Sequence, residues 1–128
     1  MMRLKLVFTV LFLSIILTSC GSKKSSAKGS IYKKKVVACY YHDKYNGRKT
    51  ASGEKFSNSK LTAAHKKLSF GTKVRITNLA NNKSVVVEIN DRGPFTKGRE
   101  IDLSKKAFME ITDDKKKGLL TVSIEIIN

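Results

Sequence analysis

The chain has 128 residues, with 26 Lys and Arg against 10 Asp and Glu, which gives a formal net charge of +16. This length leaves room for one small domain and not for a second. The positive charge suits anionic polymers, phospholipid headgroups or nucleic acid as partners, and equally a solvated surface that binds none of them. Two histidines and two cysteines without a Cys/His cluster do not predict a metal site, and no cofactor is expected.

The N-terminal segment has the pattern of a bacterial lipoprotein signal. A basic start precedes an apolar run at residues 6–17, which is too short for a spanning helix of roughly 20 apolar residues. The following LTSC at residues 17–20 resembles the lipobox, in which the cysteine is diacylated and begins the mature chain. We therefore expect a signal peptide at residues 1–19 and a lipid anchor on Cys20, against the alternative of an ordinary signal peptide. The signal therefore predicts a protein of the cell envelope, anchored at the periplasmic face of an outer membrane or otherwise at the cell membrane.

Residues 20–35 are rich in Ser, Lys and Gly and are predicted to form a flexible tether before a domain at residues 36–128. The first strand is expected in the apolar run at residues 36–41. Cys39 in this strand is interpreted as a small buried hydrophobe, without a disulfide partner once Cys20 is acylated. The export signal and the scattered lysines argue against nucleic acid as a partner. We expect a monomer.

The next elements are a long loop, a short strand and a hairpin. Residues 42–60 are polar and contain glycine, which predicts a long and possibly functional loop. A short apolar strand at residues 61–65 ends on His65. Residues 73–77 alternate charged and β-branched side chains, and residues 83–89 return after a turn, which predicts a β-hairpin.

Asp91 follows this hairpin and precedes Gly93-Pro94, the one place where proline restricts the backbone. A carboxyl group at a strand end on a stiff support is well placed to hold a proton donor still. The alternative is that Asp91 caps its own turn by accepting a backbone hydrogen bond from one or two residues ahead.

The last third of the chain predicts one helix between two strands. Residues 101–103 form a short extended piece, and Ser104 can cap a helix that runs to about Ile111. The spacing of Ala107, Phe108 and Ile111 places them on one core-facing side. Residues 120–126 alternate as a closing strand. Several short strands with a single helix predict a mainly β fold, a small barrel that protects its strand edges by closure.

Six sequence blocks resemble the rare lipoprotein A family of septal-ring lytic transglycosylases, and they occur in the family's order and spacing. The blocks are GRKTASGE at 47–54, LTAAH at 61–65, FGT at 70–72, VRITN at 74–78, INDRGPF at 89–95 and IDLS at 101–104. The resemblance extends from about Ala38 to the C-terminus. It implies a six-stranded double-psi β-barrel with one short helix.

The resemblance also implies a substrate and a reaction. The substrate is the glycan strand of peptidoglycan, stripped of its stem peptides, and the β-1,4 bond after N-acetylmuramic acid is cleaved without water. One carboxylic acid protonates the leaving oxygen, and the C6 hydroxyl of the same sugar closes onto C1 to give a 1,6-anhydro end. The implied catalytic residues are Asp91 as the acid, Glu54 as a second carboxylate and His65 as a hydrogen-bond partner. The implied substrate contacts are Tyr41, Arg48, Ser57 and Arg92.

Several of these roles have structural alternatives. His65 can be a structural strand-end histidine, Tyr41 can pack in the core, and the arginines can pair with nearby carboxylates. We expect Glu54, His65 and Asp91 to line one groove.

The chain also departs from the family pattern. Ser57 replaces a usual aspartate, His42 a usual glycine and Ser69 a usual proline. We also expect no C-terminal glycan-binding module of the SPOR type. The missing aspartate makes a second hypothesis credible: a non-catalytic peptidoglycan-binding or expansin-like wall-loosening lipoprotein.

Overall fold

Six strands close into a barrel in the part of the chain that the computed structural model describes, residues 28–127. The strands are β1 Ser30–Tyr40, β2 Thr62–His65, β3 Lys73–Asn78, β4 Ser84–Asp91, β5 Ile101–Leu103 and β6 Leu120–Ile126. A single α-helix, α1, spans Lys105–Ile111, and a short 3-10 turn spans Asp43–Tyr45. The predicted six-stranded β-barrel with one short helix is confirmed. The predicted signal peptide and Cys20 lie outside the described residues.

The barrel combines parallel and antiparallel pairs in the order β1-β5-β2-β4-β3-β6. The β1–β5 and β2–β4 pairs are parallel, and the other four pairs are antiparallel. The predicted hairpin is the antiparallel β3–β4 pair. Because β2 pairs with both β4 and β5, it brings the end of the hairpin close to the short strand β5, far away in sequence.

The barrel interior is filled by alternate residues of the strands. In β3, Val74 and Ile76 are fully buried, and each lies opposite an apolar residue of β4 and of β6. Helix α1 covers the barrel with Phe108 and Ile111, which are also fully buried. The hydroxyl of Ser104 accepts the N–H of Ala107 at 3.3 Å, so the predicted helix cap is confirmed. No helix among residues 28–127 has the length and apolar character needed to cross a membrane.

Strand β1 begins at Ser30, so the predicted tether at residues 20–35 is wrong for its last six positions, 30–35. These residues pair antiparallel with β6, from Ser30 opposite Ile126 to Val36 opposite Val122. Lys33, Lys34 and Lys35, which belong to the predicted tether, are exposed in this strand. Tyr32 of the same strand is partly buried and packs against the core. Their pairing partner, β6, lies at the opposite end of the chain, so no local sequence pattern predicts this pairing.

Candidate functional site

A cavity of about 580 Å³ lies between the long loop after β1, the segment after β4 and the outer face of β1 and β5. This volume is within the range typical of small-ligand sites. Two carboxyl groups, those of Asp91 and Asp102, lie on its wall. Four basic residues also line it: Arg48, Lys49, Arg92 and Arg99. The excess of cations favours a ligand that carries negative charge.

Asp91 is the last residue of β4, and three donors hold its carboxyl group. Its Oδ1 accepts the backbone N–H of Ala51 at 2.9 Å and that of Arg92 at 2.8 Å. Its Oδ2 accepts the hydroxyl of Tyr41 at 2.7 Å. The contact with Arg92 is the turn cap that the sequence offered as an alternative, and it coexists with a place on the cavity wall. The side chain is therefore fixed in direction and reachable from the cavity.

Tyr41 contributes both a hydrogen bond and a rigid surface. Its ring lies 4.1 Å from the ring of Phe56 and 5.8 Å from that of Tyr45, measured between centroids. Burial raises the pKa of the Tyr41 hydroxyl, and the hydrogen bond to Asp91 raises it further. The phenol therefore remains a donor to Asp91 across the physiological pH range.

Asp102 lies on β5 opposite Cys39 of β1, and the Cys39 thiol donates a hydrogen bond to it. Burial raises the pKa of Asp102, and the negative charge of Asp91 adds to this effect. The thiol hydrogen bond and the charge of Arg99 act in the opposite direction. The pKa of Cys39 itself is raised to about 12, mainly by burial. The thiol is therefore protonated and a poor nucleophile, as its interpretation as a small buried hydrophobe implied.

Asp102 was not among the residues that the sequence assigned to the site. A signal for its direction was present in Ile101-Asp102-Leu103, because successive strand residues point to opposite faces. Ile101 and Leu103 are fully buried in the core, so Asp102 has to point outward. What the local pattern does not contain is the cavity on that side.

Asn58 fixes the path of the long loop from a buried position. Its Nδ2 donates to the carbonyl of Tyr41 and to Asp43 Oδ1, each at 3.0 Å. Its Oδ1 accepts the N–H of Lys105 at 2.9 Å, at the start of α1. The loop is thereby tied to the end of β1 and to the helix at once.

A tight turn at residues 50–54 carries the loop over Asp91. The N–H of Thr50 donates to the carbonyl of Glu54 at 2.7 Å, and Gly53 adopts a φ of +95°, which favours glycine. The N–H of Ser52 donates to the carbonyl of Asn90 at 3.2 Å. These bonds explain why the N–H of Ala51 reaches Asp91.

Glu54 is exposed at the end of this turn and is not among the residues that line the cavity. The turn thus presents backbone, not the Glu54 carboxylate, to Asp91. The predicted groove shared by Glu54, His65 and Asp91 is not what the structure shows.

His65 is also absent from the cavity wall, and it is 1% exposed. Its Nδ1 accepts the N–H groups of Lys67 and Leu68, each at 3.1 Å. Nδ1 is therefore unprotonated, and Nε2 carries the hydrogen that it donates to Glu100 Oε1 at 2.9 Å. The ring of Tyr32 packs edge-on at 5.5 Å. Both ring nitrogens are occupied by the protein's own groups.

The predicted substrate contacts divide between the cavity and the surface outside it. Tyr41, Arg48 and Arg92 line the cavity. The Arg92 guanidinium nevertheless donates to the carbonyls of Leu68 at 2.8 Å and His65 at 3.2 Å, and it stacks 4.0 Å from the ring of Phe70. It therefore fixes the loop after β2.

Ser57 lies in a separate shallow depression, where its hydroxyl pairs with that of Ser59 at 2.7 Å. The structure therefore does not bring Ser57 to the cavity.

Comparison with known proteins gives one family and several relatives. The family described as lytic transglycolase matches residues 24–124. A protein of Pasteurella multocida named endolytic peptidoglycan transglycosylase RlpA is 51% identical over 88 residues, which are 69% of this chain and 30% of that protein. A Synechocystis protein named probable endolytic peptidoglycan transglycosylase RlpA is 59% identical over 71 residues, 56% of this chain and 22% of that protein. The chain thus spans less than a third of the length of these relatives.

Among solved structures, an expansin of Clavibacter michiganensis superposes with a TM-score of 0.59 at 18% identity, covering 75% of this chain and 50% of that one. At this identity the likeness shows the fold alone. The family match covers most of the chain, so the chain belongs to the lytic transglycolase family of double-psi β-barrels, and the resemblance to rare lipoprotein A is confirmed.

Proposed function

We propose that this family member is a lytic transglycosylase that cleaves the glycan strands of peptidoglycan at the β-1,4 bond after N-acetylmuramic acid. The product carries a 1,6-anhydro end, since the C6 hydroxyl of the same sugar takes the place of water. The names of the relatives support this activity and substrate. The observation that carries the proposal is Asp91, held by three donors on the wall of the cavity.

The reaction transfers two protons and consumes no water. One proton goes to the bridging oxygen as the C1–O bond breaks, and one leaves the C6 hydroxyl as its oxygen bonds to C1. Because the nucleophile belongs to the substrate, the protein needs no carboxylate that attacks C1 or activates water. We place Asp91 at the reacting bond, where its carboxyl group exchanges protons with the sugar. Tyr41 and the turn over Asp91 fix its direction.

The other two predicted catalytic residues act as supports in this proposal. His65 orders the loop whose carbonyls hold Arg92 next to Asp91. Glu54 closes the turn that aims the N–H of Ala51 at Asp91. Neither side chain has to reach the sugar for the chemistry to proceed.

The basic lining of the cavity supports glycan without stem peptides as the substrate. A muramic acid that has lost its peptide exposes a lactyl carboxylate, and Arg48, Lys49 and Arg99 offer cations to it. The ring of Phe95, which is 82% exposed at the cavity, offers a flat face to a sugar. We further propose that the protein works as a monomer in the cell envelope, held there by acyl chains on Cys20.

The rival hypothesis of a non-catalytic glycan binder rested on Ser57, which stands where the family commonly has aspartate. Ser57 lies outside the cavity, so its missing charge is not a charge missing from the cavity wall. We therefore retain the enzyme as the proposed function.

The test is to incubate the purified protein with peptide-free glycan strands and to identify the products by mass spectrometry. Wild-type protein is expected to release anhydro-ended fragments, and Asp91→Asn to lose about 100- to 10,000-fold in rate, the usual contribution of acid–base catalysis. Asp113→Asn is the matched control, because Asp113 is exposed and pairs with Lys83 on the surface. Binding of wild-type protein to strands without any fragments would instead favour the binding protein.

A further inference from the structure

Asp102 shares one face of the sheet with Asp91. Four strands contribute to this row: Cys39 on β1 lies opposite Asp102 on β5, Asp102 opposite Ala64 on β2, and Ala64 opposite Asp91 on β4. Directly opposed residues point to the same side of a sheet. Neighbouring strands lie about 4.8 Å apart, so the Cα atoms of the two aspartates are separated by about 10 Å. Both aspartates line the cavity, so both carboxyl groups are within reach of one sugar.

The two carboxyl groups have different partners. Both carboxyl oxygens of Asp91 accept hydrogen bonds, from two backbone N–H groups and a phenol. Asp102 instead accepts from a thiol, which is a weak donor, and burial raises its pKa. Paired acids in one site take different roles when their environments treat the proton differently.

We propose that Asp102 is a further catalytic residue: it donates the proton to the bridging oxygen, and Asp91 accepts the proton of the C6 hydroxyl. This inference rests on the proposed function and assigns its two proton transfers to two groups. Asp102 loses a proton as the C1–O bond breaks, and Asp91 gains one as the new bond to C1 forms. One proton then returns from Asp91 to Asp102 through the water of the open cavity, which restores the starting state. Asp102 thereby takes the role of proton donor that the sequence had given to Asp91.

The charged and titratable groups that face Asp102 come from three directions. Cys39 belongs to β1 and Tyr41 directly follows it, Asp91 ends β4, and Arg99 lies in the segment before β5. Asp91 favours the proton on Asp102, whereas Arg99 and the Cys39 thiol favour its release. The balance suits a group that must hold a proton and then give it up.

A substrate with a leaving group that needs no proton separates the two roles. Asp102→Asn is expected to cleave natural glycan strands about 100-fold more slowly or worse. The same variant should keep close to wild-type activity on a 4-nitrophenyl β-glycoside of an oligosaccharide ending in N-acetylmuramic acid, because nitrophenolate leaves unprotonated. Asp91→Asn should lose activity on both substrates, since the C6 hydroxyl has to be deprotonated in either case.

The outcomes distinguish this inference from the proposed function. A wild-type protein that is inactive on both substrates overturns the proposed function and this inference with it. Active wild-type protein with an Asp102→Asn variant that is unimpaired on strands, or equally impaired on both substrates, overturns the inference alone.

A titration of the wild-type protein, with its Asp carboxyl carbons labelled for NMR, tests the inference without any activity. The resonance that Asp102→Asn removes should titrate at higher pH than an ordinary aspartate. Cys39→Ala should raise that titration point, since it removes a donor to the ionised form, and Asp91→Asn should lower it. These opposite shifts test the surroundings of Asp102 on which the inference rests, and the two-substrate experiment tests its role. Titration of Asp102 at or below the ordinary range overturns the inference.

Discussion

Asp91 and His65 lie at the ends of two neighbouring parallel strands, yet Asp91 lines the cavity and His65 is buried. Ala64 pairs with Asp91, so the histidine is one residue from the strand position that faces the aspartate. Asp91 lies on the cavity wall with its donors on the protein side. His65 is closed in by Glu100, two backbone N–H groups and an aromatic ring.

The difference follows from the direction of each side chain. His65 lies opposite the buried Ile101, on the core side of the sheet, whereas Ala64 and Asp91 belong to the other face. A polar residue at a strand end therefore lines the cavity or is buried against the core according to which face it takes. Register, not residue type, decides between them.

The largest effect that can break this comparison comes from His65→Ala. The variant removes a buried ring and three hydrogen bonds, so we expect it to lower the free energy of unfolding by about 2–4 kcal/mol. The rate per folded molecule should fall far less than in Asp91→Asn, because His65 acts on the site only through the loop that holds Arg92. Thermal denaturation followed by circular dichroism gives the first quantity, and product analysis under fully folded conditions gives the second.

Lys66→Ala is the control for His65→Ala, because Lys66 is the exposed neighbour. A stable His65→Ala protein that has lost its activity would place the histidine in the chemistry and end the contrast with Asp91.

Tyr41→Phe sharpens the other side of the comparison. The substitution keeps the ring against Phe56 and deletes the hydroxyl that donates to Asp91 at 2.7 Å. A hydrogen bond to a charged group contributes about 1.5–3 kcal/mol, so the rate should fall roughly ten- to a hundredfold. Tyr32→Phe, on the histidine side of the barrel, is the matched control. An unchanged rate in Tyr41→Phe would mean that the phenol does not orient the carboxylate during the reaction.

Glu54→Gln should have the smallest effect. Its side chain is exposed and outside the cavity, and the turn is held by the backbone carbonyl of Glu54. We expect both the melting temperature and the rate on glycan strands to match the wild type. A large loss of rate would show that the turn rearranges when substrate binds and brings the carboxylate to the sugar.

Much of the barrel could be predicted from local patterns. The alternation in β3 and β6 and the capped helix after Ser104 report directly which side chains are buried, and the structure confirms each of them. The start of β1 could not be predicted, because the pairing of residues 30–35 depends on β6 at the other end of the chain. Exposed lysines are compatible with a tether and with the outer face of a strand alike.

In the candidate site, too, only the features that depend on local sequence could be predicted. Asp91 could be singled out because the turn that follows it is visible in the local sequence. The exclusion of Glu54 and His65 from the cavity depends on how the long loop is tied down by Asn58 and on which face β2 presents. The presence of Asp102 depends on β1 and β2 lying on either side of β5. These are contacts between segments that the sequence separates widely.

The row from Cys39 to Asp91 draws its four members from strands that are distant in the chain, with β2 inserted between the two that carry the aspartates. An incompletely folded chain cannot bring the two aspartates into one row, because β2 first has to pair with both β4 and β5. The complete row, and with it the proposed pair of acids, is therefore present only in the folded barrel.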